Sequence, residues 1–186
     1  FRNLTIRRIS DEEIAMFDRI KRGLDFGYAA HPTHYAVMHF DAKRRRLFIF
    51  YEIHKVGMSN RTLADVIKSE NKSNNVVKAD SAEPRTINEL RNLGINVVGA
   101  KKGPDSVEHG MKFLEDLEEI VIDPKRCPNT AREFQDYELE PDGNGGWKEG
   151  YPDRDNHSID AVRYALEDEM RYAKLKVGNK AKIGVR

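Results

Sequence analysis

Three aspartates, far apart in the chain, each stand where a strand is expected to end or a helix to begin. Asp25 and Asp80 close short apolar segments, and Asp160 lies in the first turn of the last predicted helix. Clustered carboxylates repel one another and take up protons unless cations compensate their charge. Carboxylate oxygens suit hard cations such as Mg²⁺ or Mn²⁺, and a pair of such ions can hydrolyse a phosphodiester. We therefore interpret the three aspartates as ligands of a divalent-metal site.

His157 is the fourth candidate, because it lies three residues before Asp160. At the start of a helix these two residues share one face and can approach one ion. We predict that His157 is either a weaker ligand or a proton-transfer group. Each candidate alone also fits an ordinary structural role, with Asp25 capping a turn, Asp160 complementing the helix dipole and His157 acting as a polar cap. It is their occurrence as a set that favours the metal site.

The elements that position these residues are predicted to form a mixed sheet covered by helices. A strand over residues 22–28 precedes a hairpin, and helices separate the strands that follow. The hairpin strands are expected at 35–40 and 46–53, and the later strands at 76–80, 95–100 and 119–122. Alternation of strands with helices indicates parallel units, whereas the hairpin adds antiparallel pairing. Such sheets place their sites at the carboxyl ends of strands, where Asp25 and Asp80 lie.

The remaining segments are a second hairpin, an N-terminal segment and a C-terminal tail. A second, protruding hairpin is predicted around the turn at 141–146, between segments 137–140 and 147–151. We place the domain that carries the predicted metal site at residues 22–174 and interpret residues 1–21 as a lead-in from an upstream domain. Residues 175–186 carry lysines and an arginine without an acid, which predicts a basic, flexible tail.

Composition narrows the classes of protein that fit. A chain of 186 residues with 39% hydrophobic content can bury one core, so we expect a single domain. The formal net charge is only +1, so any basic footprint for a polyanion must be local. The single cysteine, Cys127, excludes an internal disulfide framework and favours a reducing, cytoplasmic setting. The sequence has neither an apolar run long enough to span a bilayer nor a P-loop nucleotide motif.

Four motifs follow one another at a characteristic spacing. They are Leu24-Asp25-Phe26-Gly27-Tyr28, Ala79-Asp80-Ser81-Ala82-Glu83-Pro84, Lys101-Lys102-Gly103-Pro104-Asp105-Ser106-Val107 and Asn156-His157-Ser158-Ile159-Asp160-Ala161-Val162-Arg163-Tyr164. Together they resemble the nuclease domain of large terminase subunits, the DNA-packaging motors of tailed bacteriophages. The resemblance extends over nearly the whole chain, from Arg22 to Tyr172.

The resemblance implies an RNase H-like fold and metal-dependent, sequence-tolerant cleavage of double-stranded DNA in the host cytoplasm during genome packaging. Carried over by motif, Asp25, Asp80 and Asp160 would bind two Mg²⁺ or Mn²⁺ ions, and His157 would be a further active-site residue. Glu83 is expected to support the site or to be structural. The resemblance also implies an ATPase domain upstream in the same polypeptide, with a small terminase subunit and a portal protein as partners of the motor.

A nuclease of this kind holds DNA mainly through lysine and arginine contacts with phosphates. Lys101 and Lys102 lie in a loop after a strand, on the side expected for the aspartates, and Lys148 lies in the second hairpin. We predict that these three lysines bind DNA and that the hairpin gates or guides the duplex. The isolated domain is expected to be a monomer.

Three other classes stay open at this stage. One is another enzyme on the same fold, such as a Holliday-junction resolvase or a transposase. A second is an ATP-binding relative of actin or sugar kinases, which the missing second glycine-rich phosphate loop disfavours. The third is a non-catalytic module that binds DNA or the portal. His31 and His34 lack a close third ligand and make a poor zinc site.

Overall fold

The computed structural model describes residues 1–27, 30–103, 105–138, 142–143, 146, 148, 150–152, 154 and 156–170. The strands are β1 (Leu4–Ile6), β2 (Ile20–Asp25), β3 (Pro32–Asp41), β4 (Arg46–Val56), β5 (Val77–Ala79), β6 (Val97–Gly99) and β7 (Glu119–Ile122). The helices are α1 (Asp11–Ala15), α2 (Asn60–Glu70), α3 (Pro84–Asn92), α4 (Ser106–Glu115), α5 (Pro128–Asp136) and α6 (His157–Ala165). None of the helices in these residues has the length and apolar character needed to cross a membrane.

The strands form one mixed sheet in the order β1-β7-β4-β3-β2-β5-β6. Its centre is the antiparallel meander of β2, β3 and β4. Parallel strands extend it on both sides, with β5 and β6 beyond β2 and with β7 and β1 beyond β4. This arrangement confirms the predicted mixed sheet and the order of its antiparallel and parallel parts.

Helices cover both faces of the sheet, so the apolar side chains form two clusters. One cluster joins the sheet to α4, α5 and α6 through residues such as Met111, Phe134 and Ile159. The other joins the opposite face to α2 and α3 through residues such as Leu63 and Leu90. The sheet is thus the middle layer of three, the arrangement expected when both faces of a sheet are apolar.

Local sequence accounts for where most helices begin. The Ser59 side chain accepts a hydrogen bond from the Thr62 backbone N–H and so caps α2. Pro84 and Pro128 occupy the first positions of α3 and α5, where proline costs no hydrogen bond. Gly94 follows α3 with a φ of 91°, a conformation that glycine adopts without strain.

Two sequence predictions need correction. The first strand is β2, which begins at Ile20 and ends at Asp25, whereas we predicted residues 22–28. After Asp25 the backbone at Gly27 passes too close to residues 31–33 to carry a side chain, since a Cβ on Gly27 would lie only 2.2 Å from the His31 carbonyl oxygen. In the predicted lead-in, β1 pairs with β7 and Ile9 is fully buried, so this segment contributes to the sheet and the core. We had not predicted that strand.

Two predicted segments cannot be compared with the structure. Nearly half of the second hairpin, residues 139–141, 144, 145, 147 and 149, lies outside the described residues. The basic tail, residues 175–186, and the end of the last predicted helix beyond residue 170 lie outside them as well. These features stay predictions.

Candidate active site

Asp25 and Asp80 lie next to each other at one edge of the sheet. Asp25 is the last residue of β2, and Asp80 directly follows β5, the parallel neighbour of β2. The register pairs Leu24 with Ala79, and the Asp80 backbone N–H donates to the Leu24 carbonyl oxygen at 3.0 Å. Parallel pairing therefore brings two carboxylates together that are 55 positions apart in the sequence.

Asp160 approaches them from the helix layer. It lies in the first turn of α6, and α6 packs directly across β2. The approach is close because Gly23 of β2 has no side chain: a Cβ there would lie 1.8 Å from the Ala161 carbonyl oxygen. Gly23 thus sets the depth at which α6 lies, and with it the height of Asp160 above the end of the strand.

The three carboxylates are close enough for their charges to interact. Burial raises the pKa of Asp25, and the neighbouring charge of Asp80 raises it further. Burial also raises the pKa of Asp160 to about 6, with a contribution from Asp25 that works against the opposing effect of Arg163. Several carboxylates that lie close together and are partly shielded from water are typical of a cation-binding site without its cation.

His157 contacts the centre of this group. Its Nδ1 lies 2.9 Å from Oδ2 of Asp25, and the Asp25 side chain is only 10% exposed. The hydrogen bond to Asp25 raises the pKa of His157. Because the carboxylate can only accept, His157 donates its Nδ1–H and leaves Nε2 for another partner. The predicted fourth residue therefore lies beside the aspartates.

Two cationic side chains already contact the carboxylates. The Lys102 Nζ lies 2.5 Å from Oδ1 of Asp80 and 5.1 Å from the centroid of the Tyr164 ring. Its charge also lowers the pKa of both Asp25 and Asp160. Arg163 forms an ion pair with Asp160 through NH1 and donates from NH2 to the Ser106 carbonyl oxygen. Asp80 and Asp160 are thus each neutralised by a basic side chain.

The other predicted site residues have less direct positions. Lys101 is exposed on the loop after β6, next to Lys102. Lys148 lines a cavity of about 930 Å³ together with Asp160, Asn156 and residues of α4. Glu83 is exposed and occupies the N-cap position of α3, without a capping hydrogen bond from its side chain.

The chemistry of the donor set fits a hard divalent cation. The three aspartates supply oxygen ligands, and their mutual repulsion gives a cation a favourable place to bind. As the side chains are placed, however, no three His, Cys, Asp or Glu residues in the described part of the chain converge on one ion position. Asp80 and Asp160 are instead directed to Lys102 and Arg163. Metal binding would therefore require these side chains to turn from their basic partners.

Sequence reasoning assigned no active-site role to three polar residues that lie near the site. His34 pairs with Asp25 across β2 and β3 and is fully buried. His54 pairs with His34 on β4, and its Nδ1 lies 2.9 Å from Nδ1 of His34. The Glu133 Oε1 accepts a hydrogen bond from the Ile159 backbone N–H at the start of α6. Only the strand register reveals the row Asp25–His34–His54, since no local motif links these positions.

Comparison with known sequences identifies related proteins. Residues 25–168 match the family described as "Terminase RNAseH like domain". The chain is 46% identical over 177 residues to the large terminase subunit of Bacillus phage SPP1, which covers 92% of this chain and 42% of that protein. It is 27% identical over 175 residues to the PBSX phage terminase large subunit of Bacillus subtilis, covering 88% of this chain and 40% of the relative. The chain thus spans less than half the length of these two relatives.

Comparison with solved structures gives the same result. The nuclease domain of the SPP1 large terminase, crystallised with bound Mn, superimposes with a TM-score of 0.86 at 44% identity, covering 91% of this chain and 98% of that one. The large terminase of a thermophilic bacteriophage superimposes with a TM-score of 0.64 at 16% identity, covering 88% of this chain and 42% of that one. The second likeness concerns the fold alone.

Proposed function

The chain belongs to the family of terminase RNase H-like domains, and from this premise we propose that it is a divalent-metal-dependent endonuclease. It would cut double-stranded DNA, with little sequence specificity, during viral genome packaging. The observation that carries the proposal is the meeting of Asp25, Asp80 and Asp160, from two strands and a helix, at one end of the sheet. The likeness to the SPP1 nuclease domain supports it independently.

In this proposal Asp25, Asp80 and Asp160 hold two Mg²⁺ or Mn²⁺ ions, and His157 is a further ligand or proton-transfer group. The Mn bound to the SPP1 nuclease domain supports the choice of metal. Bound there, the ions would supply Lewis-acid stabilisation of negative charge on the phosphodiester oxygens and a lower pKa for a water molecule.

The protein's own side chains would orient and balance the site. His157 donates from Nδ1 to Asp25, which fixes the orientation of that carboxylate and leaves Nε2 available to a water or a phosphate oxygen. Arg163 holds Asp160 through their ion pair. Lys102 compensates Asp80 before a metal binds, and with Lys101 and Lys148 it would then contact DNA phosphates.

The wider setting is also a proposal. We extend the nuclease unit, predicted at residues 22–174, to include the preceding residues that pair with β7 and fill the core. In the full polypeptide an ATPase domain would precede this unit and a basic tail would follow it. The relatives are called large subunits, and this chain matches less than half of each, which supports a further domain. Within a packaging motor in the host cytoplasm, a small terminase subunit and a portal protein would be its partners.

Plasmid nicking and linearisation test the activity. The wild-type chain is incubated with supercoiled DNA in Mn²⁺, in Mg²⁺ and in EDTA, beside Asp25→Asn and the exposed control Asp65→Asn on α2. We expect cleavage by the wild type and by Asp65→Asn with either metal, and none in EDTA or with Asp25→Asn. Cleavage by Asp25→Asn at the wild-type rate would contradict the proposal. A strong preference for four-way junctions over plasmid would indicate a resolvase instead.

A further inference from the structure

A second cavity adjoins the candidate active site at His157. Its volume is about 610 Å³, and its wall includes His157, which also contacts Asp25. His54 at the end of β4 and Arg132 on α5 lie on the same wall. A group bound in this cavity would therefore be a direct neighbour of one bound at the carboxylates. The proposed reaction assigns no role to His54 or Arg132.

A chain of hydrogen bonds fixes how His54 faces this cavity. Thr130 Oγ1 donates to Glu52 Oε2 at 2.7 Å, so the same oxygen can accept from Nε2 of His34 at 3.3 Å. Burial lowers the pKa of His34 to about 3, so its ring carries one proton, on Nε2. Nδ1 of His34 must then accept, and Nδ1 of His54 donates to it at 2.9 Å. The ring nitrogen of His54 that stays available to the cavity is Nε2.

Glu52 anchors this chain to the helix layer. Its two carboxylate oxygens accept hydrogen bonds from the backbone N–H groups of Asn129 and Thr130, in the first turn of α5. The orientation of His54 is therefore tied to the position of α5, which also carries Arg132. His54 and the helix that carries Arg132 are thus linked through Glu52.

The basic neighbours on this wall, Arg132 and His157, oppose protonation of His54. Burial lowers the pKa of His54, and the nearby charges of His157 and Arg132 lower it further, against the opposing effect of Glu52. Three acids also line the cavity. Of these, Glu133 is directed to the backbone of α6, whereas Asp136 and Glu138 are exposed at the far end of α5. Arg132 and His157 thus bring positive charge to the cavity wall beside His54, and a bound anion would compensate that charge.

We propose that this cavity binds a backbone phosphodiester of the cleaved DNA strand, next to the bond that is cut, through Arg132 and His54. The ligand class rests on the proposed function, because DNA supplies the anion. A guanidinium can hold two phosphate oxygens at once. A bound anion also favours protonation of His54, which then donates from Nε2 to a phosphate oxygen. His34 is a positioning residue, since it acts only through His54. DNA would then run across the sheet end from Lys101 and Lys102 to α5.

The test measures DNA affinity without cleavage. A fluorescently labelled duplex is titrated with protein in EDTA at several salt concentrations, and binding is followed by anisotropy. The variants are Arg132→Gln, His54→Gln and Asp136→Asn, and the control is Lys43→Gln in the β3–β4 turn. That turn is about 23 Å from His34 along β3, at the opposite end of the sheet. Thermal melting confirms that each variant is folded.

We expect Arg132→Gln to weaken binding about threefold and to reduce the slope of log affinity against log salt by about one. His54→Gln should weaken binding less, because a neutral amide keeps one donor. Asp136→Asn should strengthen binding, since it removes a repelling charge from the cavity mouth. Lys43→Gln should leave affinity and slope unchanged. The proposal is overturned if Arg132→Gln and His54→Gln both behave as Lys43→Gln does.

Two further measurements separate this proposal from the nuclease proposal and from simple anion binding. Plasmid cleavage in Mn²⁺ is assayed on the same proteins. If the wild type does not cut but the variants show the expected salt slopes, the subsite proposal stands and the nuclease proposal is contradicted. If the wild type cuts DNA but Arg132→Gln and His54→Gln bind it normally, the nuclease proposal stands and the subsite proposal is overturned. Inorganic phosphate at matched ionic strength should not compete with the duplex; competition at low millimolar phosphate would assign the cavity to a free anion and overturn the DNA subsite.

Discussion

At the scale of single residues, the site is a balance between buried acids and the basic groups beside them. Asp25, Asp80 and Asp160 gain nothing in stability from one another because their charges repel, and burial raises the pKa of Asp25 and of Asp160. Lys102, Arg163 and His157 offset that cost. A site arranged in this way exchanges one set of cations for another when a metal binds.

Lys102 should therefore compete with metal. Replacing it by methionine removes the ammonium group beside Asp80 and keeps much of the side-chain volume over Tyr164. We expect Lys102→Met to bind Mn²⁺ about fivefold more tightly in the absence of DNA, measured by isothermal titration calorimetry, a difference of about 1 kcal/mol. The control is Lys101→Met at the exposed neighbouring position, which should match the wild type. Equal or weaker Mn²⁺ binding by Lys102→Met would show that the ammonium does not compete.

Glu133 should make stability depend on pH. Burial raises its pKa from 4.5 to about 7, against the hydrogen bonds from Ser158 and Ile159. Because the folded protein holds the proton more tightly than the unfolded chain, this contribution to stability is complete below pH 4.5 and is lost as the pH rises through about 7. The loss should amount to about 3 kcal/mol. Urea unfolding from pH 4.5 to 8 should show a smaller decline for Glu133→Gln than for the wild type; parallel curves would contradict the assignment.

At the scale of elements, the contact between α6 and β2 decides whether a site exists. Register alone aligns Asp25 with Asp80, because they close two parallel neighbours. Asp160 and His157 reach the other two aspartates only if α6 packs closely against β2, and the missing side chain of Gly23 permits that close packing. The element that carries two predicted site residues is thus positioned by a glycine on a different element.

Gly23→Ala should damage both fold and site. The added Cβ would lie 1.8 Å from the Ala161 carbonyl oxygen, so α6 or β2 must shift. We expect the variant to lose about 3 kcal/mol of unfolding free energy, measured by urea denaturation, with cleavage reduced further than stability explains. Gly103→Ala is the control, since a Cβ at that position meets nothing within 4 Å. A variant at Gly23 that is as stable as the one at Gly103 would refute this account of the packing.

At the scale of the whole molecule, the family match begins at residue 25, but the folded unit includes what precedes it. β1 pairs with β7, and Ile9 is buried in the core. The buried carboxylate of Asp123, which follows β7, accepts a hydrogen bond from the Ile9 backbone N–H at 2.9 Å. This contact fastens the first residues of the chain to the end of a strand 114 positions later.

Asp123 should therefore support stability in a pH-dependent way. Burial opposes its ionisation, but hydrogen bonds from the backbones of Ile9, Arg126 and Lys125 outweigh burial and lower its pKa. The contribution is present above the ordinary value of 3.8 and is lost as the pH falls through the lowered value. We expect Asp123→Ala to cost about 2 kcal/mol at pH 7, with the deficit shrinking below pH 4, measured by urea unfolding. The exposed control Asp116→Ala should change little at either pH.

The sequence by itself determined the mixed sheet, most element positions and the set of acidic residues, because strand and helix periodicity and the residues that end an element are local properties. It also carried the family resemblance, since the motifs are short, contiguous segments around Asp25, Asp80 and Asp160 that can be read directly from the sequence. Only the tertiary structure decided which cations face those acids, how His157 reaches Asp25, and that His34 and His54 continue the row. Those facts depend on strand register and on the depth of α6 over Gly23, and both are set by packing between segments that are remote in the sequence.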